Sequence, residues 1–471
     1  MPTDDLLFTS ATRLLALLRA REISARELVD AHLAQIERVN PQLNAVVTLT
    51  AERARHEAAD ADRRLAGADP RPLEGLPITI KDSFEMAGVR STDGTRIFED
   101  HVPLADAVSV ARLRAAGGIV LGKTNVPELA LDYDCANPVF GRTNNPWDLE
   151  RSPGGSSGGE GAAIASGCSP LGLGSDLAGS VRIPAHFCGI AALKPTQEAV
   201  PRTGHMPVGP MSLSLALMAT VGPMARSVGD LALAYNVLRG PDPRDPYILP
   251  SPPAEPETEA LAGLGCSFYV DGGSTPVAAP IRDAVRAAAT ALGDAGLRVE
   301  ERVPPGLDTS FRTFMRFAFA DGAAFLRLLA GDRYGEYRPE LRRTIESQVE
   351  LGMLEFFTVG MERDLFRVGI AELLAKTPIV LGPTLPIPAF RYGADGHDIE
   401  GTHVGHVDPL WGTAWVNLAG LPAVAVPAGL TPEGLPITVQ LVGAPFSEGR
   451  LLAAAALLER ALGGYQRPPS V

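Results

Sequence analysis

The chain has 471 residues, of which 45% are apolar and 21% charged, and a formal net charge of −13. That composition can bury a large core, and an acidic balance with no basic run counts against a nucleic-acid partner, whose phosphates require a basic face. The opening MPTDDLLFTS lacks the basic and apolar stretches of a signal peptide, and the charge-free stretch from Met211 is too short to span a bilayer. The four cysteines (Cys135, Cys168, Cys188, Cys266) contain no Cys-x-x-Cys pair. A cytoplasmic location is expected, with no metal and no cofactor.

In chain order, the first strong signal is helical. In ISARELVDAHLAQIERVN a capping box pairs Ser24 with Glu27, and Leu28, His32, Ile36 and Val39 recur along one face. Short β-branched or apolar runs follow: LPITI before Lys81, GGIVLG before Lys123, PLGLG before Ser175, PIVLGP from Pro378, PAVAVP from Pro422 and PITVQLVG from Pro436. Helical segments such as DAVSVARLRAA from Asp106 and APIRDAVRAAATALGDAG from Ala279 lie between them. The alternation predicts an α/β protein, a sheet covered by helices on both faces. The Pro-rich stretch at 240–260 is the one break in composition. It reads as a surface crossing, because similar strand-like runs continue on both sides.

Residues 152–161, SPGGSSGGEG, admit several readings. GGSSG matches G-x-S-x-G around Ser156, but turn-forming NPWDLERSP precedes it where a hydrolase elbow needs a strand. The Lys of a phosphate-binding P-loop is absent. A linker would stay polar, whereas this loop runs into the small-residue helix GGEGAAIASG. A second small-residue loop, GSDLAGSVR, places Ser180 directly after an apolar run, where backbone N–H groups can approach a carbonyl closely. Asp176 and Arg182 flank it as a charge pair. Lys81, at the end of LPITI, is positioned for burial and a lowered pKa, although an ion pair with Asp82 is the plainer reading. His403 and His406 stand in a Gly-rich stretch that reads as solvated loop.

With GGSSGGEGAA, GSDLAGSVRIPA and the upstream Lys-Asp pair in view, the chain resembles the amidase signature family. Weaker similarity extends from REISARELVDAHLAQIERVNPQLNA to NLAGLPAVAVPAGLTPEGLPITVQLVGAPFSEGRLL. The resemblance implies the amidase signature fold, with a central mixed β-sheet, as one domain over 1–471. Its parts are N-terminal helices (1–70), a catalytic core (71–240), and substrate-shaping helices with C-terminal strands (241–471). It implies an amide hydrolase acting on C–N bonds through a Ser–cis-Ser–Lys triad and an acyl-enzyme. Ser180 is the implied nucleophile, Ser156 the bridging serine after a cis Gly155–Ser156 peptide, and Lys81 the general base. The backbone N–H groups of Leu177, Ala178, Gly179 and Ser180 are the implied oxyanion hole, supported by Ser157, Asp176 and Arg182.

Within the family the core motifs look closest to the fatty acid amide hydrolase branch. The expected substrate is therefore a small-molecule hydrophobic acyl or aryl amide, ester or carbamate. No nucleic acid and no transmembrane anchor are expected, and there is room for a homodimer. The alternative is the glutamine-hydrolysing subunit of a tRNA-dependent amidotransferase, which works with partner subunits. Two departures stand out: Ser175 where the family commonly has Thr, and Ala178 where it commonly has a second Gly. A positive φ at the latter would be strained for Ala. The aromatic stretch with Phe311, Phe314, Phe317, Phe319, Phe325, Phe356 and Phe357 reads as core by its spacing and, by its place in the family, as a substrate-facing lid.

Overall fold

Each of the six strand-like runs becomes a strand of one eleven-stranded mixed sheet in the computed structural model, which describes residues 3–67, 69–206, 211–255 and 261–469. Its order is Val46–Leu49, Ile119–Thr124, Pro77–Lys81, Leu171–Asp176, Thr220–Ala225, Ala191–Lys194, Ala423–Leu430, Pro436–Gly443, Ile379–Pro383, Gly265–Phe268 and Arg298–Glu301. Helices cover both faces, and apolar clusters fill the spaces between layers. The architecture is the expected α/β fold. The end of the Pro-rich 240–260 stretch lies outside the described residues.

The other five strands have no clear signature in the sequence, for local reasons. Ala191–Lys194 (AALK) has no β-branched residue, and Thr220–Ala225 (TVGPMA) contains Gly222 and Pro223. Both are buried between antiparallel neighbours, so packing overrides weak propensity. The expected capping box forms: the Ser24 hydroxyl accepts from the Glu27 N–H (3.1 Å) and the Glu27 carboxylate from the Ser24 N–H (2.9 Å). Leu28, His32, Ile36 and Val39 are all buried.

Three parallel strands set the stage for chemistry. Ile119–Thr124, Pro77–Lys81 and Leu171–Asp176 run side by side, with Lys81 opposite Thr124 and Ile80 opposite Leu173. Their carboxyl ends share one edge, where open α/β sheets place ligands. The helix Gly158–Ala165 packs onto this edge, and its buried Glu160 accepts from Thr79 (2.7 Å) and Thr124 (3.0 Å) hydroxyls. Approach this close requires a missing side chain. A Cβ on Gly159 would lie 2.3 Å from Asn125 N.

Gly159→Ala is expected to push that helix off the sheet edge, destabilising by about 1–3 kcal/mol or more. Thermal unfolding measures it, beside Gly360→Ala, which meets open space in mid-helix and should stabilise by up to about 1 kcal/mol. Equal midpoints for the two variants would refute this account of the packing.

Candidate active site

Lys81 ends its strand fully buried, with Nζ 2.7 Å from Ser156 Oγ and 2.9 Å from Ser175 Oγ. The ion pair suggested by its sequence neighbour does not form. Asp82 instead accepts from Lys123 (3.2 Å) and from the Thr92 hydroxyl (2.6 Å). Burial pushes the Lys81 pKa down to about 8, against the pull of the buried Asp93 carboxyl. Burial drives Asp93 well above the usual carboxylate range, and neither of its oxygens has a hydrogen-bond partner among the described residues.

Ser156 follows a cis peptide from Gly155, and a Cβ on Gly155 would lie 2.8 Å from Asp132 O. Ser157 links the two serine loops, since its N–H donates to Ser180 O (3.0 Å). In the second loop Asp176 acts as a hub. It accepts from Gly179 N–H (2.8 Å), Arg182 Nη2 (3.0 Å) and Asn417 Nδ2 (3.0 Å). Burial would raise the Asp176 pKa, but the Arg182 guanidinium beside it holds it at about 2. Arg182 also reaches Asn417 Oδ1 (2.6 Å) and Gln440 Oε1 (2.9 Å). The positive φ of this turn falls at Gly179 (+115°) and not at Ala178, so the alanine carries no such strain. A Cβ at Gly179 would meet Thr413 Oγ1 at 2.4 Å.

Ser156, Ser175 and Ser180 line one cavity together with Leu177, His205 and Phe325. Its free space is about 30 Å³, on the order of one or two waters. Among the aromatics, Phe311, Phe314 and Phe317 are core, whereas Phe325 is wall.

Several neighbours were not singled out from sequence as site residues: Ser175 as the second partner of Lys81, His205, Asn417 and Gln440. The His205 ring lies tilted against Phe84, ring centres 4.8 Å apart, its Nε2 has no partner among the described residues, and burial keeps its pKa well below 6.5. Asn417 and Gln440 had one available signal, a lone amide inside an apolar run. His406 is not simply solvated: it is half-buried, with Nε2 3.6 Å from Asp132.

With this geometry in place, similarity to known proteins is informative. The family described as Amidase matches residues 27–452. The chain is 35% identical to the A subunit of the glutamyl-tRNA(Gln) amidotransferase of Carboxydothermus hydrogenoformans, across 97% of this chain and 98% of that protein. It is 36% identical to the protein of the same name from Roseiflexus sp. (strain RS-1), over 97% and 96%. Among solved structures, a chain from a vestigial protein complex connected with the origins of an s-triazine catabolic enzyme superposes with TM-score 0.89. It is 33% identical, with 98% and 100% of the two chains covered.

These relatives correct two expectations. A stand-alone amidase for hydrophobic acyl or aryl amides is not what near full-length similarity to amidotransferase subunits supports. The fatty acid amide hydrolase structure is 24% identical and shares the fold. The expectation of a small-molecule substrate with no nucleic acid falls with it. Net charge reports only on phosphate binding by this chain, and in an assembly other subunits can supply the basic surface. Among the described residues no helix is long and apolar enough to cross a membrane.

A base with this pKa predicts a pH profile. Lys81 accepts a proton only when neutral, so fluorophosphonate labelling of Ser180 should rise about tenfold per pH unit below about 8 and level off above it. A midpoint near 6.5, the ordinary histidine value, would instead implicate an imidazole.

Proposed function

Because the chain belongs to the amidase family, whose chemistry is the cleavage of C–N bonds, we propose that it is the glutamine-hydrolysing subunit of a tRNA-dependent amidotransferase. The observation carrying this reading is the similarity to the A subunits of glutamyl-tRNA(Gln) amidotransferases over 97% of the chain. Conversion of a glutamyl-tRNA belongs to the assembly, and release of ammonia from glutamine to this chain.

The roles follow from the contacts at the sheet edge. With Lys81 neutral, its N–H donates to Ser175 Oγ and its lone pair accepts from the Ser156 hydroxyl, at 2.9 and 2.7 Å. Ser156 in turn takes the proton of Ser180 as Ser180 Oγ attacks the carboxamide carbon. The developing oxyanion is met by the N–H groups of Leu177, Ala178 and Ser180. The Gly179 N–H donates to Asp176 at 2.8 Å, so in this proposal it holds the turn and the other three N–H groups serve the oxyanion. As the C–N bond breaks, nitrogen leaves as ammonia, carrying the proton held by the Lys81–Ser156 relay. Water then attacks the Ser180 ester and gives its proton to the same relay; the acyl–Oγ bond breaks, the relay returns the proton to Ser180 Oγ, and glutamate leaves. Ser157, Asp176 and Arg182 hold the loop and touch no reacting atom.

The test is ammonia release from glutamine by the purified chain, alone and with the remaining amidotransferase subunits and glutamyl-tRNA. The expected result is turnover that depends on or rises with the partners, a glutamyl group trapped on Ser180, and loss of both in Ser180→Ala. A chain that leaves glutamine intact in the full assembly, or carries the acyl group on Ser156, would overturn the assignment.

A further inference from the structure

The helix Met353–Lys376 is apolar on two opposite faces. Val359, Ile370, Leu373 and Leu374 are buried against the neighbouring helices. On the other side Met353, Leu354, Phe357, Met361, Leu365 and Val368 are each between 52% and 83% exposed. A surface helix normally turns one apolar stripe to the core and a polar face to water, so a second apolar stripe calls for a cover of its own. Leu354, Met361 and Val368 are seven residues apart, with Phe357 and Leu365 between them. These five therefore form one narrow stripe, the pattern that another helix covers in a coiled-coil-like seam.

Six such side chains, more than half exposed, present apolar area on the order of 800 Å², which matches one partner's share of a standard stable interface. It exceeds the roughly 300–600 Å² of the largest patch on an ordinary monomer. The helix's charges do not fit a bilayer surface. It carries Glu355, Glu362, Asp364 and Glu372 against Arg363, Arg367 and Lys376. Arg363 is turned inward to Leu418 O, and Arg367 lies 3.5 Å from Asp364. No basic excess remains to hold anionic headgroups.

We infer that this stripe seats an amphipathic helix of a partner protein in the assembly. The inference rests on reading the chain as one member of that assembly, and it identifies the surface where a partner docks. The 349–351 segment leading into the helix is tied to the cavity side of the fold, since Leu351 N–H donates to Ala320 O (2.9 Å) and the backbone of Glu350 pairs antiparallel with that of Asp321. Phe325 of the cavity wall follows four residues later.

The test uses the full chain and a fluorescent 21-residue synthetic peptide of three heptads, Leu at a and d, with balanced Glu and Lys flanks. Anisotropy should show saturable binding that weakens at least tenfold with Leu365→Glu or Met361→Lys. Leu104→Glu, at an exposed leucine elsewhere, should leave it unchanged, and a scrambled peptide should bind at least tenfold more weakly. Equal binding of the scrambled peptide, or no effect of the two stripe variants, would overturn the inference. Dimers of the chain alone that Leu365→Glu dissociates in the ultracentrifuge would assign the stripe to a second copy. Flotation with phosphatidylcholine vesicles that the same variant abolishes would assign it to lipid; either result also overturns it. Thermal unfolding and Ser180 labelling check that the variants fold. Peptide binding requires no turnover, so it can fail or succeed independently of glutamine hydrolysis.

Discussion

An amine is a base near neutral pH only if it is kept from water and denied a carboxylate to pair with. The site is organised around that constraint. Lys81 is fully buried, its hydrogen bonds go to two serine hydroxyls, and its neighbour Asp82 is engaged by Lys123 and Thr92. Hydroxyls satisfy the polar hydrogens without strongly favouring the charged form, so desolvation dominates and the pKa falls. A carboxylate in the place of Ser175 would restore the ammonium and remove the base that the proposed mechanism requires. The second lysine of this edge, Lys123, absorbs the charge of Asp82, so two lysines on adjacent strands do two different jobs.

The serine loops depend on that lysine and on a second buried charge. Arg182 and Asp176 are both inaccessible, and removing one partner of such a pair typically costs about 3–5 kcal/mol because the other is left uncompensated. Their remaining hydrogen bonds go to Asn417 and Gln440, on a helix and a strand more than two hundred residues downstream. The pair therefore fastens the Ser180 turn to the C-terminal half of the sheet. This is a structural reason why a site whose serine loops lie within the first two hundred residues still needs the C-terminal part of the chain.

Catalytic machinery and biological task separate in this protein. In the proposed mechanism the Lys81 edge, the two serine loops and the Asp176 hub open an amide, whatever acyl group is attached. Nothing in that machinery distinguishes an enzyme working alone from one that supplies ammonia to an assembly. Similarity along nearly the whole chain bears on the task, and the exposed apolar stripe of the 353–376 helix is where the proposed assembly would meet this chain.

The sequence by itself determined the fold class, six of the eleven strands of the sheet, the helix with the Ser24 capping box and the two glycine–serine loops. These are local matters: periodicity, caps and small-residue motifs act over a few residues. Strands such as Ala191–Lys194 and Thr220–Ala225 escaped because burial between neighbours outweighed poor intrinsic preference. The partner of Lys81 was decided only in three dimensions. Sequence adjacency favoured Asp82, but successive strand residues point to opposite faces, which sends Asp82 to Lys123 and leaves Lys81 to the serines. Tertiary structure also decided which aromatic residue joins the cavity and which are core, because one helical spacing serves both. It alone brought Asn417 and Gln440 to Arg182, since a buried guanidinium takes its partners from whatever the fold places within hydrogen-bond reach.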